Sequence, residues 1–174
     1  MQLAEHLGCP VTHTIRAMGI IPATHEQCFH PTCLSRIAAN GQADLVLAVG
    51  SRLGELNMWG RPPMFGEPDK QRLIQIDTEP ANIGLNRPVD LPLVGDAKKI
   101  LAQLLAAVKN LTGKRDLHAK VGEFRMVQNE WQKELDEAVA DKTRKPMLTG
   151  QILTACNDFF NDDAIFVMDG GNTT

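Results

Sequence analysis

A chain of 174 residues, 43% hydrophobic and 22% charged, carries enough apolar side chains for a core of ordinary size. At ~100 to 200 residues per domain it holds one domain or a little more. Its 18 basic and 21 acidic residues leave a net charge of −3, no basic block occurs and Tyr is absent, which argues against a nucleic-acid partner.

The opening MQLAEHLG places Glu5 where a secretory leader carries basic residues, and no apolar run approaches the ~18 residues of a membrane span. A cytoplasmic protein with no membrane partner is the expectation. Cys9, Cys28, Cys33 and Cys156 are irregularly spaced in a chain with ample core residues, so they read as reduced thiols.

In chain order, QLAEHLG reads as a helix and PVTHT (Pro10 to Thr14) as a strand. HEQCFHPTC then sets His25, Cys28, His30 and Cys33 at intervals of three, two and three, a spacing that suits zinc on paper. Structural zinc sites usually draw ligand pairs from two separate segments, and Pro31 stiffens this one, so a loop running into a helix is the preferred reading. HPTCLSRIAANG supplies that helix, with Gly41 as its stop. ADLVLAVG (Ala43 to Gly50), RLIQID (Arg72 to Asp77) and VDLPLVG (Val89 to Gly95) are three further strands, their continuous apolar character implying burial on both faces. Between the first two of these, WGRPPMFGEPDK is a Pro/Gly-rich loop, either a lid or an insertion.

Asp96 is a good N-cap for a helix whose face is marked by Ile100, Leu101, Leu104, Leu105, Val108 and Leu111 and which Gly113 ends. From Lys114 to Thr143 the sequence is charged, with Leu117, Val121, Phe124, Val127, Trp131, Leu135 and Val139 forming one narrow stripe, which reads as a helical connector. A further helix starts near Pro146, and a strand, Ala164 to Met168, runs into Asp169-Gly170-Gly171-Asn172. These elements describe an α/β fold, a Rossmann-like parallel sheet flanked by helices.

In an open parallel sheet, ligands collect at the carboxyl ends of the strands, where loops and helix N-termini present N–H groups. Three such ends carry marked residues. VGSRLGE has Gly50 and Gly54 for close backbone approach and Arg52 for phosphate; IDTEP has Asp77 where a carboxylate accepts from a ribose; VGDA ends the last strand. The pattern suggests an adenine-nucleotide site without a GxGxxG fingerprint. The same residues also fit turns, a surface ion pair and a cap.

The run ADLVLAVGSRLGE…LIQIDTEPANIGLNRPVDLPLVGDAKKILAQLL resembles the central domain of thiamine-diphosphate-dependent enzymes of the acetolactate synthase type. That family reads approximately as a strand ending G-A-R, a strand ending I-D-I-D-P, an E-I-G-x-N turn, a P-V-D strand and G-D before a helix. PVTHTIRAMGIIPATH and DAIFVMDGGNTT are similar to segments before and after it.

The resemblance implies residues 1–113 as a Rossmann-like central domain lacking its first strand, 114–144 as a helical linker, and 145–174 as the start of a thiamine-diphosphate-binding domain. It implies a parent enzyme that decarboxylates a 2-oxo acid and transfers the remainder to an acceptor, using thiamine diphosphate and magnesium. The remaining domains of the same chain and a homo-oligomer are the implied partners, and the segment alone is expected to be inactive. Gly170, Gly171, Asn172 and Thr173 match a turn touching the diphosphate.

In the central domain, relatives bind FAD, ADP or nothing. By motif Thr14, Ile15, Arg16, Gly50, Arg52, Asp77, Asn86, Gly95 and Asp96 match the groove for such a nucleotide. The family's acidic pair after G-A-R is replaced here by Gly54-Glu55, and its L-G-M-x-G loop by Cys28-Phe29-His30-Pro31. A free-standing nucleotide-binding module, or a structural domain with a vestigial groove, are the alternatives.

Overall fold

The computed structural model describes residues 1–161 and 163–167. The chain divides into two compact units, Met1–Gln128 and a second that begins at Asn129. No described helix is long and apolar enough to cross a membrane.

The first unit opens with helix α1 (Gln2–Leu7), which ends at Gly8 with φ 62°. A Cβ at Gly8 would lie 2.1 Å from the Asp116 carbonyl oxygen, so only glycine fits where two backbones cross. The crossing is fixed by Arg115 N–H donating to His6 O at 2.8 Å and His118 N–H donating to Gly8 O at 2.9 Å.

Strand β1 (Val11–Thr12) pairs in parallel with β2 (Cys28–Phe29), Val11 opposite Cys28. Helix α2 (Leu34–Gln42) leads to β3 (Leu45–Val49), β4 (Arg72–Asp77) and β5 (Leu91–Val94), a second, wholly parallel sheet in the order β3-β4-β5. Helix α3 (Ala97–Leu111) lies against β4, and α1 lies against α3. The Asp96 side chain caps α3 by accepting from Lys99 N–H at 2.9 Å.

The α/β class therefore stands, but several elements differ from the expectation. PVTHT contributes a strand of two residues that joins a separate sheet, and its partner Cys28–Phe29 lies in the segment expected to be a loop. Gly41 does not stop α2, which runs on to Gln42; an added Cβ there would sit 3.5 Å from Pro63 O, so the small residue accommodates a neighbouring loop. The Pro/Gly-rich loop after Trp59 is anchored at Phe65, which is buried with Ala48, Leu53 and Leu73, while Arg61 to Pro63 and Glu67 to Lys70 are exposed.

A second buried cluster joins Phe29 and Ala39 to Val121 and Phe124 at the start of α4 (Ala119–Ala140). Phe29 and Phe124 meet edge to face at 6.1 Å. The Arg125 guanidinium lies 4.9 Å over the Phe29 ring and donates to the carbonyls of His25, Glu26 and Cys28, closing the turn before β2. The amphipathic stripe thus begins as core of the first unit.

In the second unit, Asp141 Oδ1 accepts from both the N–H and the hydroxyl of Thr143. The Gln151 amide donates to Asp141 O at 2.7 Å and accepts from Leu148 N–H at 2.8 Å, setting the start of α5 (Thr149–Phe159). Residues 164–167 form no strand. Among the described residues this unit has no strand for them to pair with, and an isolated strand leaves its backbone groups unsatisfied. Met168 lies outside the described residues, as do Gly170, Gly171, Asn172 and Thr173.

Candidate functional site at the carboxyl ends of β3, β4 and β5

Six of the expected site residues converge where the three parallel strands end. Gly50 adopts φ 58°, which lets its N–H donate to Ile76 O at 2.8 Å and turns the chain out of β3. Gly95 N–H donates to Asp77 O at 2.9 Å, and Asn86 donates to Arg52 O at 2.7 Å. Asp96 follows Gly95 as the α3 cap. One rim of backbone therefore joins all three strand ends.

Two groups on that rim keep bonding capacity, one buried and one exposed. Asp77 is 8% exposed, and its Oδ1 accepts from Glu79 N–H at 2.9 Å and from the Asn82 amide at 3.3 Å. Its Oδ2 takes no hydrogen bond among the described residues. The Arg52 side chain is exposed, and its guanidinium has no hydrogen bond or ion pair among the described residues. An acceptor for a ribose hydroxyl and a donor fork for a phosphate are the two groups that a nucleotide requires. Asn86, by contrast, spends its amide on the rim itself.

The loop between β3 and β4 departs from ordinary backbone geometry. Leu53, Met58 and Trp59 have φ of 51°, 48° and 50°, each costing about 1 kcal/mol or more for a side chain with a Cβ. Two buried arginines brace it. Arg36 donates to Pro31 O at 2.7 Å and to Asn57 Oδ1, and Arg87 donates to Gly60 O at 2.7 Å and to Gln71 at both its carbonyl and its side chain. Burial lowers the pKa of both guanidiniums, and each leaves its Nε unpartnered among the described residues.

Three buried glutamines do related work that composition and motif did not reveal. Gln75, in the middle of β4, donates to Ser51 O and Asn82 O and accepts from Gly84 N–H, so one amide ties the loops after β3 and β4 together. Gln71 donates to Asn40 O and Ala43 O and accepts from Gly66 N–H. Gln27 donates to Ala4 O and Cys9 O. A polar residue inside an apolar strand was the available signal, visible as Gln75 within LIQID.

Thr14, Ile15 and Arg16 lie apart from the rim in their bonding. Ile15 and Arg16 open the 3-10 turn Ile15–Ala17 after β1, with Thr14 at its N-cap, and no hydrogen bond joins them to the β3–β5 residues among those described. The four potential zinc ligands do not converge either. Among the described residues no three His, Cys, Asp or Glu side chains gather round one point. His25 instead donates from Nε2 to Glu5 at 3.2 Å while its Nδ1 accepts from Gln27 N–H, and His30 Nδ1 faces the Thr32 hydroxyl at 2.9 Å. Burial, together with the neighbouring His13, lowers the His30 pKa. Burial raises the Cys28 thiol despite the opposing Arg125, and it raises Cys9.

The family model for the thiamine pyrophosphate enzyme central domain matches residues 1–104, which take in both sheets and the rim. The chain is 38% identical over 111 residues to the acetolactate synthase large subunit of Corynebacterium glutamicum, covering 61% of this chain and 17% of that protein. It is 31% identical over 141 residues to the sulfoacetaldehyde acetyltransferase of Roseovarius nubinhibens, covering 77% and 23%. Against the probable acetolactate synthase large subunit of Methanocaldococcus jannaschii it is 33% identical over 117 residues, covering 62% and 18%. The chain thus spans less than a quarter of the length of these curated relatives. With the family match extending over more than half of its residues, the chain belongs to the thiamine pyrophosphate enzyme central-domain family.

Proposed function

We propose that this chain is the nucleotide-binding, non-catalytic central part of a thiamine-diphosphate-dependent enzyme that decarboxylates a 2-oxo acid and transfers the remainder to an acceptor, as an acetolactate synthase does. The likeness to acetolactate synthase large subunits supports that parent activity. In such an enzyme thiamine diphosphate, held with magnesium, stabilises the carbanion left when CO₂ departs. Gly170, Gly171, Asn172 and Thr173 are proposed on sequence to belong to the diphosphate turn. The other domains of the same chain, a homo-oligomeric assembly and a cytoplasmic setting belong to the same proposal.

The observation that carries the nucleotide reading is the pair of unspent groups on one rim. Arg52 offers a guanidinium with no protein partner among the described residues, and Asp77 keeps Oδ2 free while Oδ1 secures its own turn. The ligand that fits is FAD or ADP, with a phosphate at Arg52 and a ribose hydroxyl at Asp77. A purely structural role is favoured by the engagement of Asn86, Asp96 and Asp77 Oδ1 within the fold.

Titration calorimetry with FAD and with ADP separates the two readings. Saturable binding, weakened at least tenfold by Arg52→Ala, is the expected result. A folded chain that gives no heat with either ligand would establish the structural reading in its place.

A further inference from the structure

We infer that the start of α4 and the segment from His25 to Cys33 form a proton-released latch: His30 and His118 each close one of its turns through a ring nitrogen that accepts only while the imidazole is neutral, and acidification frees α4 from β2. The latch does not depend on what the strand-end rim binds.

β2 has little of its own to hold it. It is two residues long and among the described residues pairs only with the equally short β1, and a lone two-stranded pair is marginally stable at best in water. Much of what fixes it comes from α4. Val121 and Phe124 bury Phe29, and Arg125 donates to the carbonyls of the turn that enters the strand. Gln128 Oε1 accepts from His30 N–H at 2.9 Å and from the Ser35 hydroxyl at 3.4 Å, so the residue that leaves β2 is bonded to the same helix. Lys120 Nζ reaches Gln42 at the end of α2, at 3.0 Å.

Two imidazoles set the turns at either end of this contact. His30 Nδ1 accepts from Thr32 N–H at 3.3 Å, closing the turn between β2 and α2. His118 Nδ1 accepts from Lys120 N–H at 3.2 Å while its carbonyl accepts from Val121 N–H at 2.8 Å, which starts α4. A ring nitrogen that accepts carries no proton, so protonating it sets donor against donor. At His118 the amino end of α4 also opposes a positive ring. From the elements packed around it, His30 is met by His13, which follows β1 as His30 follows β2, by Arg36 of α2, which holds Pro31 O, and by Arg125 of α4, which holds Cys28 O. None of these is an acid. His118 donates its N–H to Gly8 O, a crossing that also brings up His6, Arg115 and Asp116, and of these only Asp116 is an acid. His25 makes the same bond to Gln27 N–H, but Glu5 at its Nε2 favours the charged ring, so release is assigned to the other two. Burial and His13 lower the His30 pKa, so its contribution is whole above pH 6.5 and is lost as the pH falls below that toward the folded value.

Amide hydrogen exchange of the 174-residue chain, each rate referred to the intrinsic rate at its pH, reads the latch directly. Between pH 7.5 and 5, protection at Cys28, Phe29 and Val121 to Gln128 is expected to fall about tenfold while β4 keeps its own. In the double variant His30→Asn, His118→Asn, the side-chain oxygen stands where Nδ1 stood, accepts from the same N–H two residues on and does not titrate, so protection is expected to stay level across that range. The double variant His30→Ala, His118→Ala has no acceptor and is expected to be weakly protected at both ends of it. Protection that holds in the unsubstituted chain, or falls equally in the Asn pair, would overturn the latch. A loss shared in full by β4 would mark general acid unfolding and overturn it as well. Should the Asn pair fail to fold, the Ala pair still decides: an unchanged pH dependence there would exclude both histidines.

Discussion

Gln75 shows how much one buried side chain carries here. Its amide serves two carbonyls and one N–H from the loops on either side of β4, and all three lose their partner in Gln75→Leu. Ser51 and Asn82 are half-buried and Gly84 is exposed, so water can replace the lost partner at about 0.5–1.5 kcal/mol per bond, and a loss of about 2 kcal/mol in urea unfolding is expected. His30 adds a pH dependence of definite sign. Its pKa in the folded chain lies below the ordinary 6.5, chiefly through burial, so the fold favours the neutral ring. That contribution is present above pH 6.5 and is lost as the pH falls below it toward the folded value, because the unfolded chain then binds the proton more readily. Thermal melts from pH 7.5 to 5 should show a falling midpoint that His30→Gln flattens; an identical slope in the variant would contradict it. Sequence reading placed Asp77 and Arg52 at strand ends because those positions follow from topology. It missed the roles of Gln75, Gln71 and Arg87, because a hydrogen bond between distant loops leaves no periodic trace.

At the scale of elements, RLIQID was legible to the residue as β4, since a run apolar on both faces and bounded by turn residues has few alternatives. The stripe from Val121 onward was equally legible as a helix, but the pattern does not reveal what a helix packs on. Val121 and Phe124 are buried with Phe29 and Ala39, whereas Met126 and Leu135 on the same helix are exposed. Phe124→Ala should therefore destabilise the first unit by about 3–4 kcal/mol through the cavity it leaves, and Leu135→Ala should cost well under 1 kcal/mol. Comparable losses for the two in chemical denaturation would show that α4 acts as a uniform connector. The two-residue strand Cys28–Phe29 escaped notice because its fixing interactions come from Arg125, far along the chain.

For the whole molecule, both parallel sheets sit in a chain that spans a small part of its relatives, and among the described residues β3 pairs on one side only, with Leu45 and Val49 exposed. Fold class was legible because continuous apolar strands alternating with helical segments admit few architectures. The division into two sheets was not, because strand pairing is decided by contacts between segments. The proposed nucleotide reading rests on a rim at the ends of β3, β4 and β5 that carries Arg52 and Asp77. The most direct test is to map amide shifts of the ¹⁵N-labelled chain as ADP is added. A nucleotide crevice predicts saturable shifts clustered at Gly50 to Trp59, Asp77 to Glu79 and Gly95 to Asp96. Shifts scattered over the surface, or none at millimolar ADP, would contradict it.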